Sequence, residues 1–404
     1  MKNYRKKILI VIPYLHQGGA ERVVSTLTQN FPDEIETDIL INSDIDAVYP
    51  VKGNVITLGI DKIPQTDSIY FQAVAFIKRN RKLRQLKKNG EYSACISFID
   101  SANISNIISG RHHCKVIVSV RNSLVEQGKL LQYKWIVNPL VRLLYNKADK
   151  IVAVSRGVEE ELFSCFGINR EIITTIENGY DFEKIYELAK APLSEDEARF
   201  YDNSKVIVTV GRLSEQKGQW HLIRAFQDVL KEIPEAKLVI VGMGELYGYL
   251  QSLIKGTALE DKVYFTGFVD NPYKYVKRGD IFVLPSMYEG FPNALAEAVC
   301  LEKPCIATDF RTGAREILAP ELPVQGDSIT EIYEAEYGVL TKLCCGIKYE
   351  SIDIEREKGE IDLGKAIVCM INNNKIRENY INMSRIRSSN LRIEQVVQRW
   401  INII

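Results

Sequence analysis

A strand-like run, Asp280-Ile281-Phe282-Val283-Leu284-Pro285-Ser286, is followed by a Gly/Pro turn and then by helix-spaced apolar residues from Ala294 to Cys300. Strand, turn and helix start in that order leave free backbone N–H groups and the positive end of a helix dipole facing outward, which makes an anion site. The turn is Gly290-Phe291-Pro292-Asn293-Ala294, and its amides are candidate binders of phosphate or sugar hydroxyls. Glu289 and Glu297 flank it, with seven residues between them. A phosphate cradle beside carboxylates suits a ligand with both a diphosphate and many hydroxyls, as in a nucleotide-sugar. Glu297 can accept hydrogen bonds from two vicinal hydroxyls, as a ribose diol requires, and Glu289 can do the same for a transferred sugar.

Three further strand ends in the second half carry similar chemistry. Lys205–Val210 runs into Gly211-Arg212-Leu213 and Lys217-Gly218; Lys237–Val241 runs into Gly242-Met243-Gly244; Val263–Phe265 runs into Thr266-Gly267-Phe268-Val269. Four consecutive strand ends built from small or phosphate-binding residues point to one cleft. Arg212 and Lys217 are five apart and can neutralise a departing diphosphate. No Asp-x-Asp pair suited to a divalent ion stands at these ends; Asp44-Ile45-Asp46 and Asp353 lack the context. Leaving-group stabilisation by two cations is therefore expected, with no metal or other cofactor. Two carboxylates alone would also suit a glycosidase, but a hydrolase needs no diphosphate site.

The first half alternates strands and helices as well, from Lys7–Pro13 through Lys150–Val154, which implies a parallel α/β sheet. Ligands of such sheets lie beyond the carboxyl ends of the strands. His16, Gly18, Gly19, Arg121 and Asn122 fall at that edge, whereas His112 and His113 precede their strand and fall at the other. Residues 192–204 are polar and acidic with no apolar period, so a boundary is expected at 191/192. The first domain is then 1–191 with a terminal helix 385–404, and the second 192–384. That helix is apolar at Ile393, Val396, Val397 and Trp400 and has to dock on something.

Two stretches of the first half bear on partners. Residues 77–88 hold a one-signed run of lysine and arginine below the apolar Tyr70, Phe71, Val74 and Ala75. This suits either an anionic membrane surface or a solvated helix face. Lys129–Lys147 mixes Leu131, Trp135, Ile136 and Leu143 with lysine and arginine, as core or as the wall of an acceptor groove. The 404 residues carry a formal net charge of zero, so general attraction to nucleic acid is not implied. The N-terminal apolar run is strand-length and lacks a cleavage site, and no run approaches the roughly 20 apolar residues of a spanning helix. A cytoplasmic protein is expected, peripheral at most on the inner face of the plasma membrane. The eight cysteines form no Cys-x-x-Cys pair and read as buried small hydrophobes in a reducing compartment. Cys344-Cys345 has no histidine near it in sequence.

Taken together, these motifs resemble the family-4 retaining glycosyltransferases of the GT-B fold along nearly the whole chain. The resemblance rests on Gly18-Gly19-Ala20-Glu21-Arg22, Val154-Ser155, Gly211-Arg212-Leu213 with Lys217-Gly218, and Val241-Gly242-Met243-Gly244. Thr266-Gly267-Phe268-Val269, Glu289-Gly290-Phe291-Pro292 with Glu297, and Tyr337-Gly338-Val339 complete it. It implies two Rossmann-like domains facing a cleft, the donor on the second, and a terminal helix returning to the first. It assigns Arg212 and Lys217 to the diphosphate, Glu297 to the ribose, Glu289 to the donor sugar, Phe268 and Val269 to the base, and Gly19 to the phosphate. It implies transfer of a hexose or N-acetylhexosamine, UDP-linked, with retention, to a glycan or lipid-linked glycan in surface polysaccharide assembly. Where many members carry a histidine, this chain has Arg121-Asn122, as does a subgroup building surface polysaccharides. Arg311-Thr312-Gly313-Ala314 replaces the commoner Gly-rich loop at the donor sugar. A nucleotide-sugar epimerase on the same fold and a sugar-binding pseudo-enzyme are the competing readings.

Overall fold

The computed structural model describes residues 6–16, 18–45, 47–60, 69–128, 131–310, 312–324 and 326–404. The expectations that touched Asp46, Lys129, Leu130 and Arg311, and the side chains of Tyr70 and Phe71, lie outside the described residues. The chain divides into two compact units, Met1–Gly179 with Ile393–Ile404, and Tyr180–Arg392.

The first unit opens with β1 (Lys6–Val11), α1 (Gly19–Asn30), β2 (Ile35–Ile41), β3 (Asn54–Thr57) and α2 (Ile69–Asn89). It continues through β4 (Ala94–Phe98), α3 (Asp100–Ile108), β5 (Lys115–Val120), α4 (Leu124–Gln127) and α5 (Asn138–Leu144). A π-helical turn, Tyr133–Val137, leads into α5. β6 (Lys150–Ala153), α6 (Arg156–Ser164) and β7 (Ile173–Thr175) close the series. The seven strands pair in parallel in the order β3-β2-β1-β4-β5-β6-β7. Ile8, Leu9, Ile10 and Val11 are all buried, as a central strand covered by helices on both faces must be.

The second unit holds α7 (Phe182–Ala189), α8 (Glu195–Tyr201), β8 (Lys205–Val210), α9 (Gln219–Glu232), β9 (Ala236–Val241) and α10 (Tyr247–Ile254). Next come β10 (Val263–Gly267), α11 (Tyr273–Arg278), β11 (Ile281–Leu284), α12 (Asn293–Cys300), β12 (Cys305–Thr308) and α13 (Ala314–Leu318). The hairpin β13 (Tyr333–Glu334) and β14 (Val339–Thr341) is followed by α14 (Lys358–Asn372) and α15 (Asn374–Ser389). The sheet order is β10-β9-β8-β11-β12-β14-β13, parallel except for the last pair. Last in the chain, α16 (Ile393–Ile403) packs on α1 and belongs to the first unit. Its Ile393, Val396, Val397 and Trp400 share one buried stripe at helical spacing.

The division falls at 179/180 and 392/393, where 191/192 and 384/385 were expected. The physical reason is that the acidic stretch is no linker. Ser194 and Glu197 form a reciprocal capping box on α8. Glu197 also takes hydrogen bonds from the Tyr275 hydroxyl and, at 3.1 Å, from Lys274, both on α11. α7 packs on α11 too. The expected terminal helix 385–404 is two helices, because the chain turns at Asn390–Leu391 and the Tyr180 amide donates to the Leu391 carbonyl.

Two other expectations are corrected. The basic run of α2 is not all surface: Arg79 and Lys87 are buried. Arg79 donates to Asn42 Oδ1 and Ser101 Oγ, and burial brings its pKa down to about 10. Lys87 Nζ donates to the carbonyls of Asn106 and Gly110, so it caps the carboxyl end of α3. Lys78, Arg81, Arg84 and Lys88 remain exposed. All eight cysteines are free thiols, but Cys165, Cys345 and Cys369 are exposed, since each lies at a loop or on an outward helical position.

Trp400 stacks 5.8 Å from Phe98 and is fully buried. Trp400→Ala is expected to destabilise the first unit by about 3–5 kcal/mol, measured by denaturant unfolding. Burial works to raise the Glu197 pKa but is outweighed by the Tyr275 hydroxyl, the Ser194 amide and the Lys274 ammonium, which hold it at about 2 against an ordinary 4.5. A lowered folded-state pKa stabilises above the ordinary value, and that stability is lost as pH falls from 4.5 towards 2. Glu197→Gln should therefore lower stability at neutral pH by about 2 kcal/mol and flatten its fall in acid, read from melts at several pH values.

Candidate active site

In the second unit β8 lies between β9 and β11, so the chain winds outward in opposite directions on either side of the β8–β11 seam. A crevice opens beyond the carboxyl ends of strands at such a reversal. The two segments leaving this seam are Gly211–Gly218 and Pro285–Pro292. Their side chains meet: Lys217 Nζ pairs with Glu289 Oε1, both largely buried. Gln216 Nε2 donates to Glu289 Oε2 at 3.2 Å and to the Tyr288 carbonyl, and Ser286 Oγ donates to Glu289 Oε1 at 3.0 Å. Thr312 Oγ1 donates to the Glu289 carbonyl. Glu289 is thus held from three sides. Arg212 is exposed, and among the described residues its guanidinium has no partner.

α12 begins immediately after the turn, with Pro292 as its cap residue and no side-chain cap bond, so no cap side chain occupies its first amides. Asn293 Oδ1 accepts from the Tyr180 hydroxyl at 2.7 Å. Glu297 is buried one turn into α12 and accepts from the Tyr273 hydroxyl at 3.4 Å. Gly313, at φ +86°, backs the turn: a Cβ there would lie 2.5 Å from Pro292 Cδ. Buried Asp309 and Arg315 make a two-pronged 2.7 Å pair that fixes this loop, and Arg315 also donates to the carbonyls of Pro323 and Asp327.

The glycines at the other strand ends make room for neighbouring backbone. A Cβ on Gly242 would lie 2.1 Å from the Gly211 carbonyl oxygen, and one on Gly244 would lie 2.4 Å from that of Leu213. The Lys217 stem lies over Gly211. Phe268 stands half-exposed after β10, with Val269 partly covered beside it.

In the first unit the reversal lies between β1 and β4. Gly18 caps α1, and Gly19 starts it; the Glu21 carboxylate folds back over Gly18, so that a Cβ there would meet it at 2.0 Å. His16 bonds the Ile45 carbonyl and stacks on Tyr14. Arg121 donates to Asn178 and to Ser119 Oγ, while Asn122 is exposed. His112 and His113 are exposed at the amino edge of β5, away from these ends. Two residues that sequence reasoning passed over stand here. Ile99 has φ +74°, a strained conformation for a β-branched side chain, and it turns the chain so that Asp100 starts α3 at the reversal. Burial raises the Asp100 pKa against hydrogen bonds from the Tyr145 and Tyr133 hydroxyls, at 3.1 and 3.2 Å. The signal available in sequence was an acidic residue two positions past a buried strand.

A histidine does stand near Cys344, contrary to the sequence-distance argument. Ligand atoms of His221, Cys344 and Glu357 lie within 4.8 Å of one another. His221 Nδ1 faces Glu360 at 2.8 Å, and its Nε2 accepts from the Gly346 amide at 3.2 Å, so both ring nitrogens are engaged in fastening a loop.

Comparison with known proteins agrees with this layout. Residues 192–326 match the model described as glycosyl transferases group 1, and residues 17–184 the model of glycosyltransferase family 4. The chain is 34% identical over 337 residues to an uncharacterized glycosyltransferase of Methanocaldococcus jannaschii, covering 80% of this chain and 82% of that one. It is 27% identical over 386 residues, 95% of each chain, to an N-acetylgalactosamine-N,N'-diacetylbacillosaminyl-diphospho-undecaprenol 4-alpha-N-acetylgalactosaminyltransferase of Campylobacter jejuni. Among solved structures, Anabaena HepE in complex with UDP-glucose superposes with a TM-score of 0.71 at 19% identity, over 98% of this chain and 100% of that one. A sucrose-phosphate synthase of Thermosynechococcus elongatus gives 0.75 at 16%, over 99% and 98%. With both units built as doubly wound parallel sheets and both halves matched, the chain belongs to glycosyltransferase family 4 and has the GT-B fold.

Proposed function

We propose that the protein transfers a hexose or N-acetylhexosamine from a UDP-sugar to a lipid-linked glycan, with retention of configuration and without a metal. The observation that carries this reading is the Lys217–Glu289 pair at the β8–β11 seam, with Arg212 on the same loop as Lys217 and the amino end of α12 following. Two cations and a helix terminus suit the β-phosphate that leaves as UDP departs. Glu289, already oriented by Ser286 and Gln216, suits the hydroxyls of the donor sugar, and Glu297 the ribose diol. Transfer by attack on the face the diphosphate leaves lets a phosphate oxygen take the acceptor proton, so no separate base on the opposite face is required. The glycosidic C–O bond to phosphate breaks, the bond to the acceptor oxygen forms, and the proton leaves with UDP.

The lipid-linked acceptor and the nucleotide-sugar are supported by the names of the Campylobacter relative and of the HepE complex. A pseudo-enzyme is disfavoured because Arg212, Lys217, Glu289 and Glu297 are all present, on the segments that leave β8 and β11. Epimerisation needs no acceptor, and product analysis without one separates it from transfer.

The test is incubation with a panel of UDP-linked sugars and a lipid-linked acceptor. Donor consumption with an α-linked product is expected; consumption of no donor overturns the reading. Lys217→Ala and Arg212→Ala should each lower kcat by about a hundredfold with smaller changes in KM. Glu289→Ala should lower it at least as much, and wild-type behaviour of this variant would sink its assignment. EDTA should leave the rate unchanged, and loss restored by Mg²⁺ would replace the metal-free mechanism.

A further inference from the structure

We infer that the outward face of residues 131–143 seats the protein on an anionic bilayer surface. This helical run exposes four large apolar side chains: Leu131 by 75%, Trp135 by 70%, Leu143 by 66% and Ile136 by 58%. Its opposite side, with Val141, Leu144 and Tyr145, is buried in the unit. Apolar groups this exposed on a single element are unlike the scattered exposed leucines of an ordinary surface. The π-helical turn contributes directly. Its extra residue per turn turns Trp135 and Ile136 outward together while Tyr133 stays inward.

Charge selects the occupant. From Gln127 to Ala148 the sequence has no acidic residue. The exposed polar groups of the face include Lys134, Arg142 and Lys147. Lys134 lies over the Trp135 ring. A tryptophan among leucine and isoleucine with a cationic rim suits the boundary between headgroups and acyl chains, and the rim suits anionic headgroups. α2 packs on α3, and α3 on α5, so the three form one layer. The exposed Lys78, Arg81 and Lys88 of α2 thus extend the same cationic surface. Among the described residues no helix is long and apolar enough to cross a membrane, and the seat is one of depth, not of spanning.

The same turn reaches the strand ends. Tyr133 donates to Asp100, which starts α3 at the β1–β4 reversal. Seating the outward side of the turn on lipid therefore sets that edge of the sheet at headgroup level, where a lipid-linked acceptor presents its glycan. The inference names the surface in which the proposed acceptor lies and to that extent rests on that reading, but its test uses neither donor nor acceptor.

Of the three tryptophans, Trp220 and Trp400 are buried, so Trp135 alone reports on insertion. The full chain is mixed with phosphatidylglycerol–phosphatidylcholine vesicles and with phosphatidylcholine alone. Sedimentation with the anionic vesicles, a blue shift and quenching by brominated acyl chains are expected. Leu131→Ser with Leu143→Ser should weaken binding about tenfold or more while keeping the thermal midpoint. Lys134→Gln with Arg142→Gln should weaken it and remove its salt dependence. Unshifted Trp135 emission with the anionic vesicles overturns the inference. So does vesicle binding undiminished in the double-serine variant, or a dimer in solution that the same substitutions dissociate. Donor consumption by these variants, measured with a detergent-dispersed acceptor, should stay at the wild-type level, which separates loss of seating from failure of the transfer reading.

Discussion

The ion pair between Lys217 and Glu289 joins the two loops that leave adjacent strands of the second unit. Each group is largely buried, and neither could be left there without the other. Around it, the Glu289 carboxylate is shared among Lys217, Gln216 and Ser286, its backbone is held by Thr312, and the Thr312 loop is fixed by the Asp309–Arg315 pair. A chain of polar contacts therefore runs from the buried Asp309–Arg315 pair, just past β12, to the Glu289 carboxylate. The cluster is organised before a ligand arrives, which lowers the ordering that binding has to supply.

The parts legible in the sequence were those whose chemistry is written in consecutive residues. The run from Ile281 to Cys300 carries strand, turn and helix in order, and it folds that way. Gly211 to Gly218 likewise announces a loop with two cations. What was not legible depends on partners distant in the chain. Arg79 and Lys87 look like surface charges until Asn42 and the end of α3 supply their acceptors. Glu197 looks like part of a linker until Tyr275 receives it. At Gly242 and Gly244 a second reason for glycine, the close approach of the Gly211–Leu213 backbone, shows only in the folded chain. Asp100 was passed over because an acidic residue at a helix start is common, and the tyrosines that single it out, Tyr133 and Tyr145, lie far along the chain.

Charge is also buried for architecture alone. Arg224 is fully enclosed, and its donors are met by Glu360 and by the carbonyls of Ser351, Ile354 and Glu355, with Tyr349 stacked 3.9 Å away. Together with His221 it pins a long irregular segment to α9 and α14. Such a network is stable because every polar atom in it is used, and it tolerates no partial replacement.

The core of the first unit takes Ile393, Val396, Val397, Trp400 and Ile404 from the last residues of the chain. Those side chains leave the ribosome only after the whole second unit has been made. The half of the protein synthesised first is therefore the half completed last. Until then, the apolar groove between α1 and the sheet stands open, in the company of a second unit already able to fold. Order of synthesis and order of completion run in opposite directions, and α16 acts as the latch on β1.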